Sequence, residues 1–243
     1  MNIIDVNIES KVLARNEIFK VITPSHVDIS DLPVLLLLHG MYGNFQDWAH
    51  KSEIAQLADE FKVVVIMPSG YNSFYADIYN GEKYYTYIKD EVFNTCRNLF
   101  NLTHDPEKTM VAGLSMGGYG ALKIGLNNFD VFRHIGSFSP CPLLDYVRDG
   151  FEERINKLFG SFDNFKGSIS DIRYVTSNIS KCDMPNLYLY CGCNDFLYEM
   201  NLEYIKILEE NELKFHFETD LGDHSWPYWN KHVRKFLEYV LKK

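Results

Sequence analysis

A serine flanked by glycines is the part of this sequence whose residue types and spacing most directly suggest chemistry. Gly113, Ser115 and Gly117 form a G-x-S-x-G pattern between an apolar run over 109–112 and a helix-compatible stretch over 119–127. A strand, a sharp turn and a helix in this order are typical of a turn that exposes a nucleophilic hydroxyl. The glycines let strand and helix approach closely, while the serine takes a strained positive φ that points its hydroxyl away from the sheet. The pattern predicts covalent catalysis by Ser115.

The same glycines fit two phosphate-binding patterns that other residues disfavour. Gly113 and Gly118 have the spacing of a phosphate-binding loop, but Tyr119 stands where that loop needs a lysine. No G-x-G-x-x-G follows a predicted strand, which disfavours a dinucleotide site as well. A glycine-rich turn that only connects two elements is the structural alternative.

A second apolar run, over 34–38, ends in His39 and Gly40. An uninterrupted apolar run predicts a strand that is buried on both faces, as in a parallel sheet. In hydrolases with this kind of nucleophile turn, a His-Gly pair after such a strand opens the loop that carries one oxyanion donor. We expect His39 itself to support that loop by hydrogen bonding.

An acid and a base follow later strands. Asp195 lies just beyond an apolar run, and His224 lies on a loop after an alternating run. The chain order Ser115, Asp195, His224 is that of the α/β-hydrolases and differs from the orders in chymotrypsin and subtilisin. Asp220 and Asp223 are rivals for the acid, but they are so close to His224 in sequence that the geometry would be awkward. Asp195 is therefore the favoured acid.

Four segments resemble a known family. The stretches LLLLHGMYGN, GLSMGGYGA, CGCNDF and GDHSWPYW are similar to those of the esterase D and tributyrin esterase group, which includes feruloyl and acetyl esterases and, more distantly, the mycolyltransferases. The resemblance extends over nearly the whole chain. Trp226 and Trp229, in a His-Ser-Trp segment followed by a second aromatic residue, are a fairly specific mark of this group.

The resemblance implies a role for five residues. Ser115 is expected as the nucleophile, His224 as the base and Asp195 as the group that orients the base. The backbone N–H groups of Met41 and Met116 are expected to form the oxyanion hole. We expect no cofactor, and the sequence shows no spacing typical of a metal site.

Strands and helices alternate along most of the chain, which predicts an α/β fold with a mainly parallel sheet covered by helices on both faces. With the resemblance, this predicts the α/β-hydrolase fold in a single domain over 1–243. The predicted strands are 3–8, 17–23, 34–39, 63–67, 110–114, 135–139, 187–191 and 215–219, the first two of them an antiparallel pair. The predicted helices are 54–61, 87–100, 116–127, 197–211 and 228–241. The segment 142–185 is predicted to be a small cap insertion, with an ordinary crossover connection as the alternative.

Composition narrows the partners. The net charge of −9 disfavours nucleic acid and anionic membranes as partners. Five cysteines without a disulfide or zinc framework, and an alternating first segment rather than a signal peptide, predict a reduced cytoplasmic protein. No apolar run is long enough to cross a membrane. A homo-oligomer is compatible with the sequence, which does not fix the oligomeric state.

Aromatic residues suggest the substrate contacts. The loop over 68–83 contains Tyr71, Phe74 and Tyr75, and the histidine loop contains Trp226. Tyr75 and Trp226 are predicted to bind substrate. The charged residues of 142–185 argue against a broad apolar cover for long acyl chains. They are Asp145, Arg148, Asp149, Glu152, Glu153, Arg154, Asp163, Lys166 and Asp171.

The favoured function is a serine carboxylesterase that acts on short-chain acyl esters or esters of small aromatic acids through an acyl-enzyme. One alternative is a thioesterase of the S-formylglutathione hydrolase type, and another is an acyltransferase in which an alcohol replaces water. A non-catalytic binding protein on a hydrolase fold is the alternative from another class. It is disfavoured because all three residue types of the triad are present.

Overall fold

Eight strands form one central sheet in the computed structural model, which describes residues 1–145 and 151–241. The strands are β1 Asn2–Ser10, β2 Arg15–Thr23, β3 Val34–Leu38, β4 Val64–Met67, β5 Thr109–Leu114, β6 His134–Phe138, β7 Asn186–Tyr190 and β8 His216–Glu218. Their order across the sheet is β1-β2-β4-β3-β5-β6-β7-β8. Strands β1 and β2 pair antiparallel, β2 meets β4 antiparallel, and every later pairing is parallel. The predicted mainly parallel α/β sheet with a leading antiparallel pair is confirmed.

The apolar run of β3 shows why the sheet is covered on both faces. Successive side chains of a strand point to opposite faces. Leu36 and Leu38 accordingly belong to one hydrophobic core, and Leu35 and Leu37 belong to the other. All of these side chains are fully buried. The uninterrupted apolar sequence is therefore required by two cores, one on each side of the sheet.

Ten α-helices surround the sheet in the described part of the chain. They are α1 Asp47–Lys51, α2 Ile54–Phe61, α3 Tyr84–Thr86, α4 Phe93–Phe100, α5 Met116–Asn127, α6 Phe151–Phe159, α7 Phe162–Phe165, α8 Ile172–Asn178, α9 Tyr198–Glu210 and α10 Trp226–Leu241. Helices α1, α2 and α10 contribute to the core that contains Leu35, while α4, α5 and α9 contribute to the core that contains Leu36.

Several helical segments differ from the prediction, among them the start of the predicted helix over 87–100 and helix α1. The predicted helix over 87–100 is interrupted by a π-helical turn at Tyr87–Val92, where the Phe93 N–H reaches the carbonyl of Ile88 five residues earlier. Helix α1 was not predicted, because it is only five residues long and shows no repeat that identifies it. It carries Trp48, whose indole N–H donates to the Leu38 carbonyl at 3.0 Å beside the site described below.

The segment 142–185 contains α6, α7 and α8. Helix α6 reaches the loop after β3, where Nη1 of Arg154 lies 2.7 Å from Sδ of Met41. Asp145 pairs with Arg173 at 3.1 Å, so part of the predicted charge is engaged within the segment. Arg148 and Asp149 lie outside the described residues. Within the described ranges, no helix is both long and apolar enough to cross a bilayer.

Candidate active site

Ser115 occupies the turn between β5 and α5 with φ 53° and ψ −119°. This is a conformation that a non-glycine residue rarely adopts, and it is typical of functional turns. A Cβ on Gly117 would lie 2.5 Å from the carbonyl oxygen of Leu38, and a Cβ on Gly113 would collide with the Gly117 backbone. The Ser115 N–H donates to the Phe138 carbonyl at 2.8 Å, which fixes the turn to β6. Close approach of three backbone segments thus requires the two glycines.

A chain of hydrogen bonds connects the three predicted triad residues. Nε2 of His224 lies 3.0 Å from Oγ of Ser115, and Nδ1 of the same ring lies 2.8 Å from Oδ2 of Asp195. The other Asp195 oxygen accepts the Leu197 N–H at 2.9 Å. The Asp195 side chain is fully buried, and that of His224 is 18% exposed. These residues come from three different loops, and the structure brings them together in the geometry of a nucleophile, a base and an orienting acid.

The loop that carries Asp195 and the loop that carries His224 are bonded to each other. The Asn194 N–H donates to the Gly222 carbonyl at 2.9 Å, and the Cys193 N–H donates to the Asp220 carbonyl at 2.8 Å. A Cβ on Gly192 would collide with the Gly222 backbone, so the two loops touch directly. This contact fixes Asp195 and His224 relative to each other.

The rival acids are engaged elsewhere. Asp220 accepts the Tyr190 hydroxyl at 2.9 Å and the Lys231 amine at 2.6 Å. Asp223 is exposed, and its carboxylate accepts the Ser225 hydroxyl. Asp195 is the carboxylate that the structure places against the His224 ring.

The two predicted oxyanion donors lie on either side of Ser115. Met116 is the first residue of α5, where backbone N–H groups have no partner within the helix and the helix dipole favours negative charge. Met41 lies on the loop after β3 and lines the same cavity as Ser115. This placement is compatible with an oxyanion hole, which stays a proposal.

His39 supports the loop of Met41, as its position at a strand end predicted. Its Nε2 accepts the Gly70 N–H at 2.8 Å, so Nδ1 carries the proton and donates to the Gly40 carbonyl at 2.7 Å. Burial lowers the pKa of the His39 ring, which keeps it neutral. A second contact comes from Asn72, whose side-chain oxygen accepts the Tyr42 N–H at 2.8 Å.

The structure corrects the assignment of Tyr75 as a substrate contact. Its side chain has no exposed surface, and its hydroxyl donates to the His39 carbonyl at 2.7 Å. The ring fills the space beside Gly70 and Gly120, where a Cβ would collide with it. Tyr75 therefore supports the loop of Met41 from below. Its neighbour Phe74 is also buried, so these two aromatic side chains of the loop face the core.

A cavity of about 410 Å³ opens at Ser115 and His224. Trp226 lines this cavity and packs edge-on against Trp48 at 5.2 Å and Trp229 at 5.5 Å between ring centroids, and its contact with substrate stays a prediction. The remaining lining residues are Gly40, Met41, Tyr42, Gly43, Asp47, Lys51, Leu114, Phe196 and Trp229. None of the described residues of 142–185 is among them, so the role of this segment as a cap stays a prediction.

Comparison with known proteins agrees with this geometry. The sequence model of the Esterase family matches residues 10–171. The acetyl esterase of Caldicellulosiruptor saccharolyticus is 32% identical over an alignment that covers 100% of this chain and 99% of the relative. The chain belongs to the Esterase family.

Two solved structures share the fold of this chain over nearly its whole length. The serine hydrolase FphF of Staphylococcus aureus superposes with a TM-score of 0.90 at 29% identity, covering 100% of this chain and 99% of FphF. The S-formylglutathione hydrolase FrmB of the same organism superposes with a TM-score of 0.87 at 29% identity, covering 99% of both chains. This esterase thus has the α/β-hydrolase fold and is a serine hydrolase.

Sequence reasoning missed several residues of the esterase cavity. Phe196 is 77% exposed, and its ring lies 4.6 Å from the His224 ring. Asp47 and Lys51 form an ion pair of 3.3 Å in the cavity wall, and the Lys51 amine lies 5.4 Å from the Trp226 ring. Phe196 directly follows Asp195, the predicted acid, and this position in the sequence was a signal that it lies at the cavity. The Asp47–Lys51 pair gave no comparable signal, because its helix was not predicted.

Proposed function

We propose that the protein hydrolyses short-chain acyl esters or esters of small aromatic acids, with Ser115, His224 and Asp195 as its catalytic triad. The observation that carries the proposal is the continuous chain of hydrogen bonds from the Ser115 hydroxyl through His224 to Asp195, at 3.0 and 2.8 Å. Its opening onto a cavity gives an ester access to the nucleophile. A protein that only binds a ligand has no need for a serine, a histidine and an aspartate connected by hydrogen bonds in this order, so the arrangement favours catalysis over binding alone.

The reaction proceeds in two halves. His224 takes the Ser115 proton while Oγ attacks the ester carbonyl. The backbone N–H groups of Met41 and Met116 donate hydrogen bonds to the carbonyl oxygen and stabilise the negative charge that develops on it. Asp195 holds the ring tautomer and stabilises the imidazolium. His224 then gives the proton to the departing alcohol. Water, activated by the same histidine, releases the acid from Ser115.

The cavity supports a compact acyl group. Its volume of about 410 Å³ lies in the lower part of the usual range for small-molecule sites. Its apolar wall includes Trp226 and Trp229, while the Asp47–Lys51 ion pair makes part of the wall charged. A long acyl chain would have to desolvate that pair. The similarity to an acetyl esterase at 32% identity supports the same size class.

Thioester hydrolysis is the second candidate. It is favoured by the similarity to S-formylglutathione hydrolase FrmB, at 29% identity over nearly the whole chain. The same triad attacks a thioester, and only the leaving group differs. Acyl transfer to an added alcohol is a further variant of the same acyl-enzyme chemistry.

A substrate panel tests the proposal. The purified enzyme is assayed on p-nitrophenyl acetate, methyl ferulate and S-formylglutathione, with and without an acceptor alcohol. We expect kcat/KM to be highest for an oxygen ester, and a tenfold preference for the thioester would favour the second candidate. Ser115→Ala should abolish every activity with an unchanged circular dichroism spectrum, and a fluorophosphonate should label only Ser115.

Ser225→Ala is the matched control for the nucleophile. Ser225 is next to His224 in sequence, but its hydroxyl donates to Asp223 and does not contact the His224 ring. This variant should keep activity and fluorophosphonate labelling. Loss of labelling in Ser225→Ala, with labelling kept in Ser115→Ala, would show that Ser225 and not Ser115 is the nucleophile.

We also propose a reducing, cytoplasmic location. All five cysteines are free thiols, and two of them, Cys182 and Cys193, are exposed. Exposed free thiols are typical of proteins that stay in a reducing compartment. Cell fractionation of the source organism, with the enzyme followed by fluorophosphonate labelling, tests the location, and activity in a secreted fraction would contradict it.

A further inference from the structure

A buried lysine stands outside the catalytic machinery. Lys123 lies in α5, eight residues after Ser115, in a helix whose side chains are buried from Met116 to Leu126. The side chain of Lys123 is 1% exposed. Lysine is almost never fully buried without a partner. Its position in the middle of this helix therefore calls for a physical explanation.

No hydrogen bond or ion pair joins the Lys123 amine to any other residue of 1–145 or 151–241. Two aromatic rings take the place of such partners. Nζ lies 5.1 Å from the centre of the Tyr85 ring and 5.9 Å from the centre of the Phe159 ring. Asp77 acts on the amine only at longer range, and its carboxylate accepts the N–H and the hydroxyl of Thr86 at 3.0 and 2.7 Å.

The amine faces a cavity that is separate from the esterase site. The cavity has a volume of about 230 Å³ and is lined by Asp77, Tyr79, Tyr85, Lys123, Phe159, Asn164, Ser168, Ile169 and Ser170. None of these residues lines the cavity at Ser115. Tyr79 is 56% exposed and Ile169 is 50% exposed, so the mouth of the cavity reaches solvent. A small molecule can therefore reach the buried amine.

The walls select the class of ligand. Tyr79, Tyr85 and Phe159 supply aromatic surface, and Asn164 and Ser168 supply neutral polar groups. An anion would meet the Asp77 carboxylate, and a cation would meet the lysine. The volume is below that of a site for a drug-sized molecule. The chemistry thus favours a small uncharged molecule with a group that reacts with an amine.

We propose that Lys123 is a carbonyl-reactive lysine, and that its cavity binds small uncharged aldehydes as a reversible imine. The nitrogen lone pair attacks the aldehyde carbon, and proton transfer from nitrogen to oxygen gives a carbinolamine. The carbinolamine then loses its hydroxyl group and the remaining N–H proton as water, and the C=N bond forms. One amine and one aldehyde give one imine and one water, so the step needs no oxidant or reductant.

Burial also prepares the amine for this reaction. It lowers the pKa of Lys123 to about 7, whereas Asp77 acts in the opposite direction. The other titratable groups at the cavity are Tyr79 and Tyr85, and the Lys89 amine lies 5.8 Å from the Tyr85 ring. At pH 7 about half of such an amine is neutral, against roughly one part in 2,500 for an ordinary lysine. Desolvated lysines are known to be nucleophilic for this reason.

Reductive trapping tests the proposal on the whole enzyme. Benzaldehyde and sodium cyanoborohydride are added at pH 7, and the benzylated lysines are mapped by peptide mass spectrometry. We expect Lys123 to be modified at least tenfold faster than any other lysine at pH 7, and this ratio should fall as the pH rises towards 10, because the exposed lysines then become neutral as well. Modification of Lys123 no faster than of the exposed lysines, or a ratio that does not change with pH, would overturn the proposal.

Two variants isolate the amine. Lys123→Met replaces the amine by an unbranched apolar side chain that is one atom shorter, and it should remove the fast adduct, whereas Lys89→Met removes the neighbouring amine and should leave it. Because neither residue lies at the cavity of Ser115, both variants should hydrolyse p-nitrophenyl acetate like the wild type, which checks the fold. A fast adduct that persists in Lys123→Met would assign the reaction to another lysine. The mapping in the wild type decides the question even if a variant does not fold.

Discussion

Oδ2 of Asp195 lies 2.8 Å from Nδ1 of His224, and the Asp195 side chain has no exposed surface. Solvent therefore does not compete for this contact. Because the carboxylate accepts a hydrogen bond from Nδ1, the proton of the neutral ring stays on Nδ1. Nε2 then carries no proton and lies 3.0 Å from the Ser115 hydroxyl oxygen. A buried carboxylate must be satisfied, and its second oxygen accepts the Leu197 N–H. Asp195 thus selects the tautomer that the proposed role of His224 as general base requires.

Replacement of this acid is expected to cost more than any other carboxylate change near the site. Asp195→Asn should lower kcat by roughly 10²–10⁴, because an amide can donate to Nδ1 and favour the wrong tautomer. Asp223→Asn is the matched control, since its exposed carboxylate only accepts the Ser225 hydroxyl, and it should lower kcat less than threefold. Steady-state kinetics on p-nitrophenyl acetate measure both. A larger defect in Asp223→Asn would reassign the acid.

Tyr75 is expected to act as a positioning residue beneath the loop of Met41. Tyr75→Phe leaves the buried His39 carbonyl without its hydroxyl donor, which should cost about 1–3 kcal/mol of unfolding free energy. The loosened loop should lower kcat several-fold with little change in KM. A raised KM with unchanged kcat would instead restore Tyr75 as a substrate contact.

Tyr119→Phe is the matched control for Tyr75. Tyr119 is also fully buried, and its hydroxyl also donates to a backbone carbonyl, that of Ser170, at 2.6 Å. Urea unfolding should show a similar loss of stability in both variants. Only Tyr75→Phe should lower kcat, because the Tyr75 hydroxyl donates to His39, which supports the loop of Met41, whereas the Tyr119 hydroxyl donates to Ser170 in the segment 142–185. An equal loss of kcat in both variants would show that the loss in Tyr75→Phe follows from lower stability and not from a specific role of Tyr75 at the loop of Met41.

The contrast between β3 and Tyr75 shows what the sequence could and could not predict. The apolar run of Leu35 to Leu38 predicted a doubly covered strand, because local pattern and burial are directly linked. The triad was predictable for a similar reason, since its residues follow strands whose carboxyl ends meet at one edge. The burial of Tyr75 depends on its fit beside Gly70 and Gly120, which are distant from each other in sequence. An aromatic residue on a long loop gives no sign of such a fit.

The lining of the cavity was unpredictable for a different reason. Asp47 and Lys51 enter the wall through the short helix α1, which is held beside β3 by the Trp48 indole. A five-residue helix has no periodic pattern to identify it. The π-helical turn at Tyr87–Val92 could not be predicted from the sequence either, since one inserted residue leaves the apolar stripe of the helix largely intact.

His232 is expected to make the fold sensitive to acid. The ring is 1% exposed, it stacks on Tyr190, and its Nδ1 lies 2.8 Å from the Tyr188 hydroxyl. Burial lowers its pKa to about 4, although Glu218 and Asp220 act to raise it. Between pH 6.5 and 4 the unfolded chain binds the proton and the folded chain does not. The free energy of unfolding therefore decreases as the pH falls through this range, by up to about 1.4 kcal/mol per pH unit.

His232→Gln tests this sensitivity, because glutamine can still bond to the Tyr188 hydroxyl but does not titrate. Urea unfolding from pH 7 to pH 4 should show a shallower loss of stability in His232→Gln than in the wild type. His50→Gln changes an exposed histidine and should follow the wild-type curve. Parallel curves for wild type and His232→Gln would show that other groups cause the acid sensitivity.

The size of the acyl group is expected to be limited by the wall at Trp226. The indole is held edge-on between Trp48 and Trp229, and the Lys51 amine lies 5.4 Å from its ring, so it cannot turn aside without disturbing several neighbours. Each added methylene that finds no pocket forfeits up to about 0.8 kcal/mol of burial. For wild type, kcat/KM should therefore fall steeply from p-nitrophenyl acetate and butyrate to the palmitate. Trp226→Ala should move the optimum to longer chains, whereas Tyr174→Ala, at a side chain that is 48% exposed and does not line the cavity, should leave it in place. A wild-type profile that rises towards palmitate would make the enzyme a lipase and reject the small acyl site.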